Sequence, residues 1–555
     1  MCRSGWKNHR ECKRLQRLWG RGLAEKVGIL FFVLLLVGYA AGAQEQSLWD
    51  LAKAKRDVLA ISTLFTSHQV RDYLGNESKM ADAIEWCRKT GVTHVFIESF
   101  RGNYMAERKT LEAARDRFGA EGFAVSGCVT PTKVGKQSTG WNIISCYTDQ
   151  RSQEHMEEIF EYTALIFDEI MIDDFLFTDC ECEQCKKARG GQSWAEYRCD
   201  LMVEMGRERI LGAARRVNPD VTLIIKYPQW YDNFHNRGYE VIRQTADYDR
   251  IWVGTETRDF DNPRWGGKVQ YEAYYIMRWL GEIGGAKTGG GWFDPYGTTE
   301  DTYVEQARQT VLAGAKEMLL FCYGSLLRET GPANVEKLRA EIPELFELAG
   351  IVRGKRVVGI AAPKPPNSDA HDERYIFDFV GMLGLPLVPT ATIDPDAKAA
   401  FFAVHALKDP GFRGKLTTML DAGKPVLISD GLAKRLDEAL SRHRNATILR
   451  AGGHPKNLLK LTKDDLRPIR EKMLEPFGMT FDAPNKVGLY VFGDRHIVVE
   501  NFNDRVVDVR LGLPREGEAE ITLVLPDEGR AKLAKGGRKL RLKDITPRTL
   551  VVIEY

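Results

Sequence analysis

The sequence has almost no excess charge, few cysteines for its length, and a single long apolar run. With 79 Lys and Arg against 77 Asp and Glu, its formal net charge is +2, so no global field argues for nucleic acid as a partner. Ten cysteines in 555 residues are too sparse for a disulfide framework. No glycine-rich phosphate loop follows the first strand-like run, which weighs against a doubly wound dinucleotide fold. After residue 43 no segment reads as membrane-spanning. What is present is 43% hydrophobic, 28% charged and 10% aromatic residues, the composition of a chain that buries large cores.

Residues 1–43 stand apart. Arg3, Lys7, Arg10, Lys13, Arg14, Arg17, Arg21 and Lys26 precede an apolar run over 27–39 and the small residues Ala41, Gly42 and Ala43. This layout predicts a secretory signal cleaved after Ala43, or kept as an anchor, and an exported protein, periplasmic or extracellular. The run is shorter than the about 20 residues that span a bilayer.

From residue 57 onward, β-branched and aromatic runs alternate with segments of helical period. The runs fall at 58–65, 94–100, 123–129, 169–177, 222–227, 250–257, 287–294 and 318–323, with helices expected at 80–90, 109–118, 153–167, 194–216, 271–283 and 305–313. Eight such units predict a (β/α)₈ barrel over 44–350. The pattern then changes to shorter strands and helices, predicting a small α/β domain over 351–480. Alternating strands without helices follow, predicting a β-sandwich over 481–555.

Barrel enzymes place their chemistry at the carboxyl ends of the strands. There the sequence offers His68 after strand one, Glu98 and Arg101 at strand two, and Asp173 and Asp174 at strand four. Strand five brings Lys226 and Tyr227 with Trp230 beyond, strand six Glu256 and Arg258, and strand seven Trp292 and Asp294. Two carboxyls in unlike environments, flanked by aromatic rings, suit glycoside hydrolysis. Asp174 is expected to be one catalytic carboxyl, with Glu256 or Asp294 as the second. Asp173, Glu98, Arg101, Lys226, Tyr227, Arg258 and the tryptophans at 230, 265 and 292 are expected around the substrate. Taken singly, each also fits a salt bridge, a turn or plain packing.

Cys180, Cys182 and Cys185 form a C-x-C-x-x-C run whose spacing suits thiolate coordination of one soft metal ion better than disulfide geometry. A fourth ligand must come from elsewhere. An acidic strand end followed by this motif, with a further cysteine upstream, resembles glycoside hydrolase family 42, the zinc-containing β-galactosidases. That family has its first zinc cysteine just before the helix leading to the fourth strand. Ser145-Cys146-Tyr147-Thr148-Asp149 stands in that place, so the resemblance implies Cys146 as the fourth ligand, with Cys128 the fallback. It further implies a structural zinc, a flavodoxin-like or amidotransferase-like trimerisation domain after the barrel, a small sandwich, and a homotrimer or other homo-oligomer. The family's Asn-Glu at the end of strand four is replaced by Asp173-Asp174, and its strand-seven nucleophile is matched only by Asp294. The α-galactosidase superfamily instead pairs an Asp on strand four with an acid on strand six, which Asp174 and Glu256 fit.

The expected function is that of an exported enzyme cleaving glycosidic bonds in an oligo- or polysaccharide, a distant relative of family 42 by architecture. The alternatives are a non-catalytic carbohydrate-binding protein on the same scaffold and a redox or metal-handling thiolate site.

Overall fold

The computed structural model describes residues 46–555, so the leader expected over 1–43 lies outside the described residues. Eight parallel strands form the first unit: β1 (Ala60–Phe65), β2 (His94–Arg101), β3 (Ala124–Thr130), β4 (Glu169–Ile172), β5 (Thr222–Tyr227), β6 (Arg250–Gly254), β7 (Thr288–Phe293) and β8 (Glu317–Leu320). Ser62 lies opposite His94 and Ala60 opposite Glu317, so β1 joins β2 to β8 and the sheet closes into a barrel. A two-residue arm, Tyr104–Met105, folds back on β2. Two predicted strands end early, at Ile172 and Gly254. There Phe175 N–H turns back to the Asp173 carbonyl, and Thr257 N–H to the Thr255 carbonyl.

Helices pack outside the barrel near their predicted places. Glu77–Lys89 is capped by Asn76 and Gln150–Ala164 by Asp149, each through a side-chain oxygen that accepts an otherwise unpaired N–H. The helix predicted over 194–216 changes winding, with wide π turns at Met205–Leu211 between two α segments. Among the described residues no helix is long and apolar enough to cross a membrane.

The lumen is filled by one residue from each strand: Leu64, Phe96, Cys128, Met171, Ile224, Trp252, Trp292 and Leu319. Side chains alternate along a strand, so residues two further on point into the same space one layer nearer the mouth. That upper layer is mostly polar: Glu98, Thr130, Asp173, Lys226 and Asp294, with Gly254 as a gap and Phe321 as an apolar member under Arg101 and Lys226. Cys128, the fallback metal ligand, is thereby a lumen residue.

A second unit holds five parallel strands, β9 (Ile360–Pro363), β10 (Leu387–Thr390), β11 (Ala400–Phe402), β12 (Val426–Ser429) and β13 (Ala446–Leu449), in the order β10-β9-β11-β12-β13. It packs on helix Tyr271–Gly284. Tyr275 stacks on Phe377 at 4.7 Å, and the Trp279 indole N–H donates to the Lys364 carbonyl at 2.8 Å. The chain ends in two four-stranded antiparallel sheets over Thr480–Glu554 that enclose a separate apolar core. Helix Gly331–Val352 links these parts. Its Glu341 holds Arg308 bidentately at 2.6 and 2.8 Å, and Arg308 also donates to the Arg548 carbonyl of the terminal unit.

Candidate active site

The polar upper layer is bound into a charge network with no net charge. Lys226 Nζ donates to Asp173 Oδ1 at 2.6 Å, and Arg101 donates to Asp173 Oδ2 at 2.7 Å and to Glu98 Oε2 at 2.9 Å. Thr130 bridges Glu98 and Asp173, and Ser67 N–H donates to Glu98 Oε2 at 2.7 Å. Arg101 reaches the mouth because a register shift between Glu98 and Phe100 turns the end of β2. Lys226 also lies 3.8 Å over the ring of Trp292. Burial would raise the Asp173 carboxyl, but the charges of Lys226 and Arg101 overcome that and hold it well below the usual carboxylate range.

Beyond this network, Arg258 grips Asp294 with two bonds, of 3.0 and 2.6 Å. Arg258 takes a left-handed backbone conformation, φ 60°, with its N–H donating to Gln306 Oε1 at 3.0 Å.

Two carboxyls at the mouth have no cation of their own. Asp174 follows Asp173 in the rim turn, partly open to solvent but deep among protein atoms. Burial first, and then repulsion from Asp173, push it up to about 7 against the opposing pull of Lys226 and Arg101. Glu256 is pushed up to about 8 by burial; Arg258 works against this, while the charges of Asp174 and Asp294 add to it. Its carboxyl occupies the space a side chain on Gly254 would need, since a Cβ there would stand 2.8 Å from Glu256 Oε2. The Gln229 amide satisfies both its neighbours in one orientation, donating to Glu256 Oε1 at 3.1 Å and accepting from Lys268 Nζ at 3.1 Å. Glu256 Oε2 has no protein partner.

The chain matches the family described as "Probable glycosyl hydrolase, catalytic domain" over residues 45–355, more than half its length. The chain belongs to this glycosyl hydrolase family. An uncharacterized protein of Saccharolobus solfataricus is 24% identical over 408 residues; the match covers 66% of this chain, which spans 65% of that relative's length. Among solved structures, α-L-fucosidase isoenzyme 2 from Paenibacillus thiaminolyticus aligns with a TM-score of 0.60 and 11% identity, covering 89% of this chain and 99% of its own. A GH42 β-galactosidase, Gan42B, aligns with a TM-score of 0.55 and 9% identity, covering 90% and 98%. These structural likenesses show the fold alone.

The glycosyl hydrolase barrel thus gathers Glu98, Arg101, Asp173, Asp174, Lys226, Glu256, Arg258 and Asp294 at its mouth, with Trp292 in the lumen layer beneath. Tyr227 is a correction to the sequence reading. Being next to inward-facing Lys226, it points outward, and its hydroxyl meets Thr245 Oγ1 at 3.1 Å in the helix layer. Trp292 is 3% exposed beneath Lys226, and Trp230 packs edge-on against Phe177, Phe234 and Tyr239. Neither offers an open ring face of the kind expected for it. Gln229, Gly254, Thr130 and Lys268 had not been singled out. Counting by twos from the apolar lumen layer would have found Thr130 and Gly254.

A second cluster lies beside the mouth. The sulfurs of Cys146, Cys180, Cys182 and Cys185 all lie within 4.8 Å of one another, with Cys146 at 3.8 Å from Cys182 and 3.5 Å from Cys185, and Cys182 at 3.7 Å from Cys185. These separations are too long for disulfides, at about 2.05 Å, and close to the about 3.8 Å edge of a thiolate tetrahedron around an ion with bonds of about 2.3 Å. Thr148 Oγ1, 3.0 Å from Cys185 Sγ, and Lys136 Nζ, 3.4 Å from Cys182 Sγ, form an outer shell.

Replacing Lys226 by Met leaves Asp173 with one cation in a buried site. Urea unfolding at pH 7 is expected to show a loss of about 3–5 kcal/mol. A carboxyl depressed by folding stabilises above its unfolded pKa of about 3.9, so the penalty shrinks as pH falls and Asp173 of the variant takes up a proton. A loss independent of pH would contradict this.

Proposed function

We propose that the chain is an exported glycoside hydrolase in which Asp174 and Glu256 are the carboxylate pair. The observation that carries this reading is that these two acids, alone among the mouth carboxyls described, have no cation gripping them. Glu98, Asp173 and Asp294 are each held by at least one guanidinium or ammonium group. Repulsion between Asp174 and Glu256 favours a state with one proton shared across the pair, and the higher affinity of Glu256 places it there. Glu256 Oε1 already accepts from Gln229, so Oε2, buried and without a protein partner, is the oxygen left free to hold the proton. Asp174 then acts as the ionised partner, attacking the anomeric carbon or activating water. The network below orders Asp173, Arg101 and Lys226 beneath the sugar site. Asp294 serves to hold Arg258, which faces the same space.

The residues after the barrel support a distant relationship to the family 42 enzymes. The parallel sheet order, 2-1-3-4-5 when numbered within the unit, supports a flavodoxin-like domain. The basic and apolar leader over 1–43 supports export, to a compartment where polysaccharide is met.

The four thiolates fit zinc, whose tetrahedral shell they would close, leaving no position for an activated water. Such an ion would be structural, tying Cys146 before helix Gln150–Ala164 to the loop that follows Asp174.

The purified protein should cleave at least one member of a panel of aryl glycosides and plant or microbial oligosaccharides. Asp174→Asn should lower kcat/KM at least about a thousandfold while leaving binding intact. The rate should be bell-shaped in pH. It rises as Asp174 loses its proton near about 7 and falls as Glu256 loses its own near about 8. Full turnover by Asp174→Asn, or a flat profile, would reject the pair. Elemental analysis should find one zinc per chain, lost in Cys146→Ser. Metal-free protein with cycling disulfides would reject the structural site and favour a redox role.

A further inference from the structure

We infer that Trp141, on the loop before Cys146, is a stacking platform for a pyranose ring of the substrate, next to Asp174. The inference rests on the hydrolase reading for its ligand class. Among the described residues, Trp141, Trp230 and Trp265 lie around the barrel mouth and Trp292 in the lumen below it, and three of these four have their rings engaged. Trp292 lies under Lys226, Trp265 carries the guanidinium groups of Arg258 and Arg264 at 5.0 and 4.7 Å, and Trp230 is wedged among aromatic edges. Trp141 differs. It is 47% exposed, and its inner side rests on Phe175 at 5.7 Å and Phe177 at 6.3 Å. Phe175 follows Asp174 directly in the chain, so the shelf and the proposed catalytic carboxyl share one turn of backbone.

An exposed indole on a loose loop would be an ordinary surface residue, but this loop is fixed. Trp141 N–H donates to Asp179 Oδ2 at 2.9 Å, and the Asp179 carboxylate also accepts from Ser138 and Arg237. Glu181 N–H donates to Thr139 Oγ1 at 2.7 Å. Gly140 passes so close to Asp179 that any Cβ would overlap its carboxyl. The sulfurs of Cys146 and of the Cys180–Cys185 run meet between the same two loops, within 4.8 Å of one another. The bonds to Asp179 and Thr139 therefore hold an open aromatic face at a set place beside the mouth, the pre-organisation that makes a contact surface effective. The matching ligand has one apolar face and a polar rim. A pyranose ring, with axial C–H bonds over the electron-rich indole and hydroxyls pointing outward to water, has that form.

The test measures binding of intact protein, Trp141→Ala and Trp141→Phe to an array of neutral oligosaccharides of two to six pyranose units. Turnover of aryl monoglycosides is followed in parallel, and thermal melting checks that both variants fold. Trp141→Ala should weaken binding of the best ligand at least about tenfold, equivalent to about 1.4 kcal/mol, and Trp141→Phe should restore most of it. Unchanged affinity in Trp141→Ala, equal loss in both variants, or no binding by the intact protein would overturn the platform. Aryl glycoside turnover that persists in any of those cases leaves the hydrolase reading standing. Oligosaccharide binding lost in Trp141→Ala without any turnover would support the platform and reject the hydrolase.

Discussion

Charges that point into a barrel lumen must be neutralised there, because burial of an unpaired ion costs far more than the fold's net stability allows. Glu98, Arg101, Asp173 and Lys226 meet that demand together, two of each sign, with Thr130 and the Ser67 N–H taking the remaining oxygen positions. Everything above them depends on this closed set. It supports the mouth from below and leaves fixed positive charge close to Asp174 without pairing it. With the set complete, Asp174 and Glu256 stand outside it, and burial first, with repulsion from neighbouring carboxylates, pushes them up toward neutral pH.

The surrounding architecture protects this arrangement. The Arg308–Glu341 pair, fully buried, ties helix Glu300–Leu312 after β7 to helix Gly331–Val352, and Arg548 reaches back from the terminal sheets to Glu305. On another side, the Tyr231 hydroxyl donates to Asp378 at 2.8 Å, and Tyr375 N–H donates to Asp232 at 2.7 Å. Tyr231 and Asp232 lie just beyond Gln229 and Trp230, so the five-stranded unit braces the loop that carries the partner of Glu256. Loops at a barrel mouth are ordinarily its most variable part. Here the β5 loop is held by a neighbouring unit, and four cysteine sulfurs converge beside the β4 loop.

Much of this was legible in the sequence, and the remainder was hidden for identifiable reasons. The strand runs at 222–227 and 94–100 stand out because buried parallel strands are rich in branched and aromatic residues. Local pattern also sufficed for the Cys180–Cys185 run. The convergence of Cys146 on it could be expected only from resemblance, since pairing across a loop leaves no periodic mark. Tyr227 was misread because its neighbour Lys226, not its own position, carries the inward parity. Arg101 breaks the same parity through a bulge that no local pattern announces. Strands β10 and β13 are four residues each at the two edges of their sheet, one interrupted by Pro389 and the other with only Leu449 buried, so neither left an apolar run long enough to see. Asp174 was singled out, but that its neighbour would take both cations became visible only in three dimensions.

The central claim is that burial and neighbouring carboxylates bring two mouth acids, left without a cation of their own, to exchange protons near neutrality. Infrared difference spectroscopy of the intact, substrate-free protein tests it directly, by following the protonated carboxyl stretch through a pH titration and repeating it in Asp174→Asn and Glu256→Gln. The account predicts carboxyl bands titrating near about 7 and about 8, with each variant removing one step and shifting the other downward. Burial also pushes Glu272 and Glu500 up to about 7 and about 8, so only bands that differ between the intact protein and the variants count; difference spectra in which neither substitution removes a titrating band would contradict it.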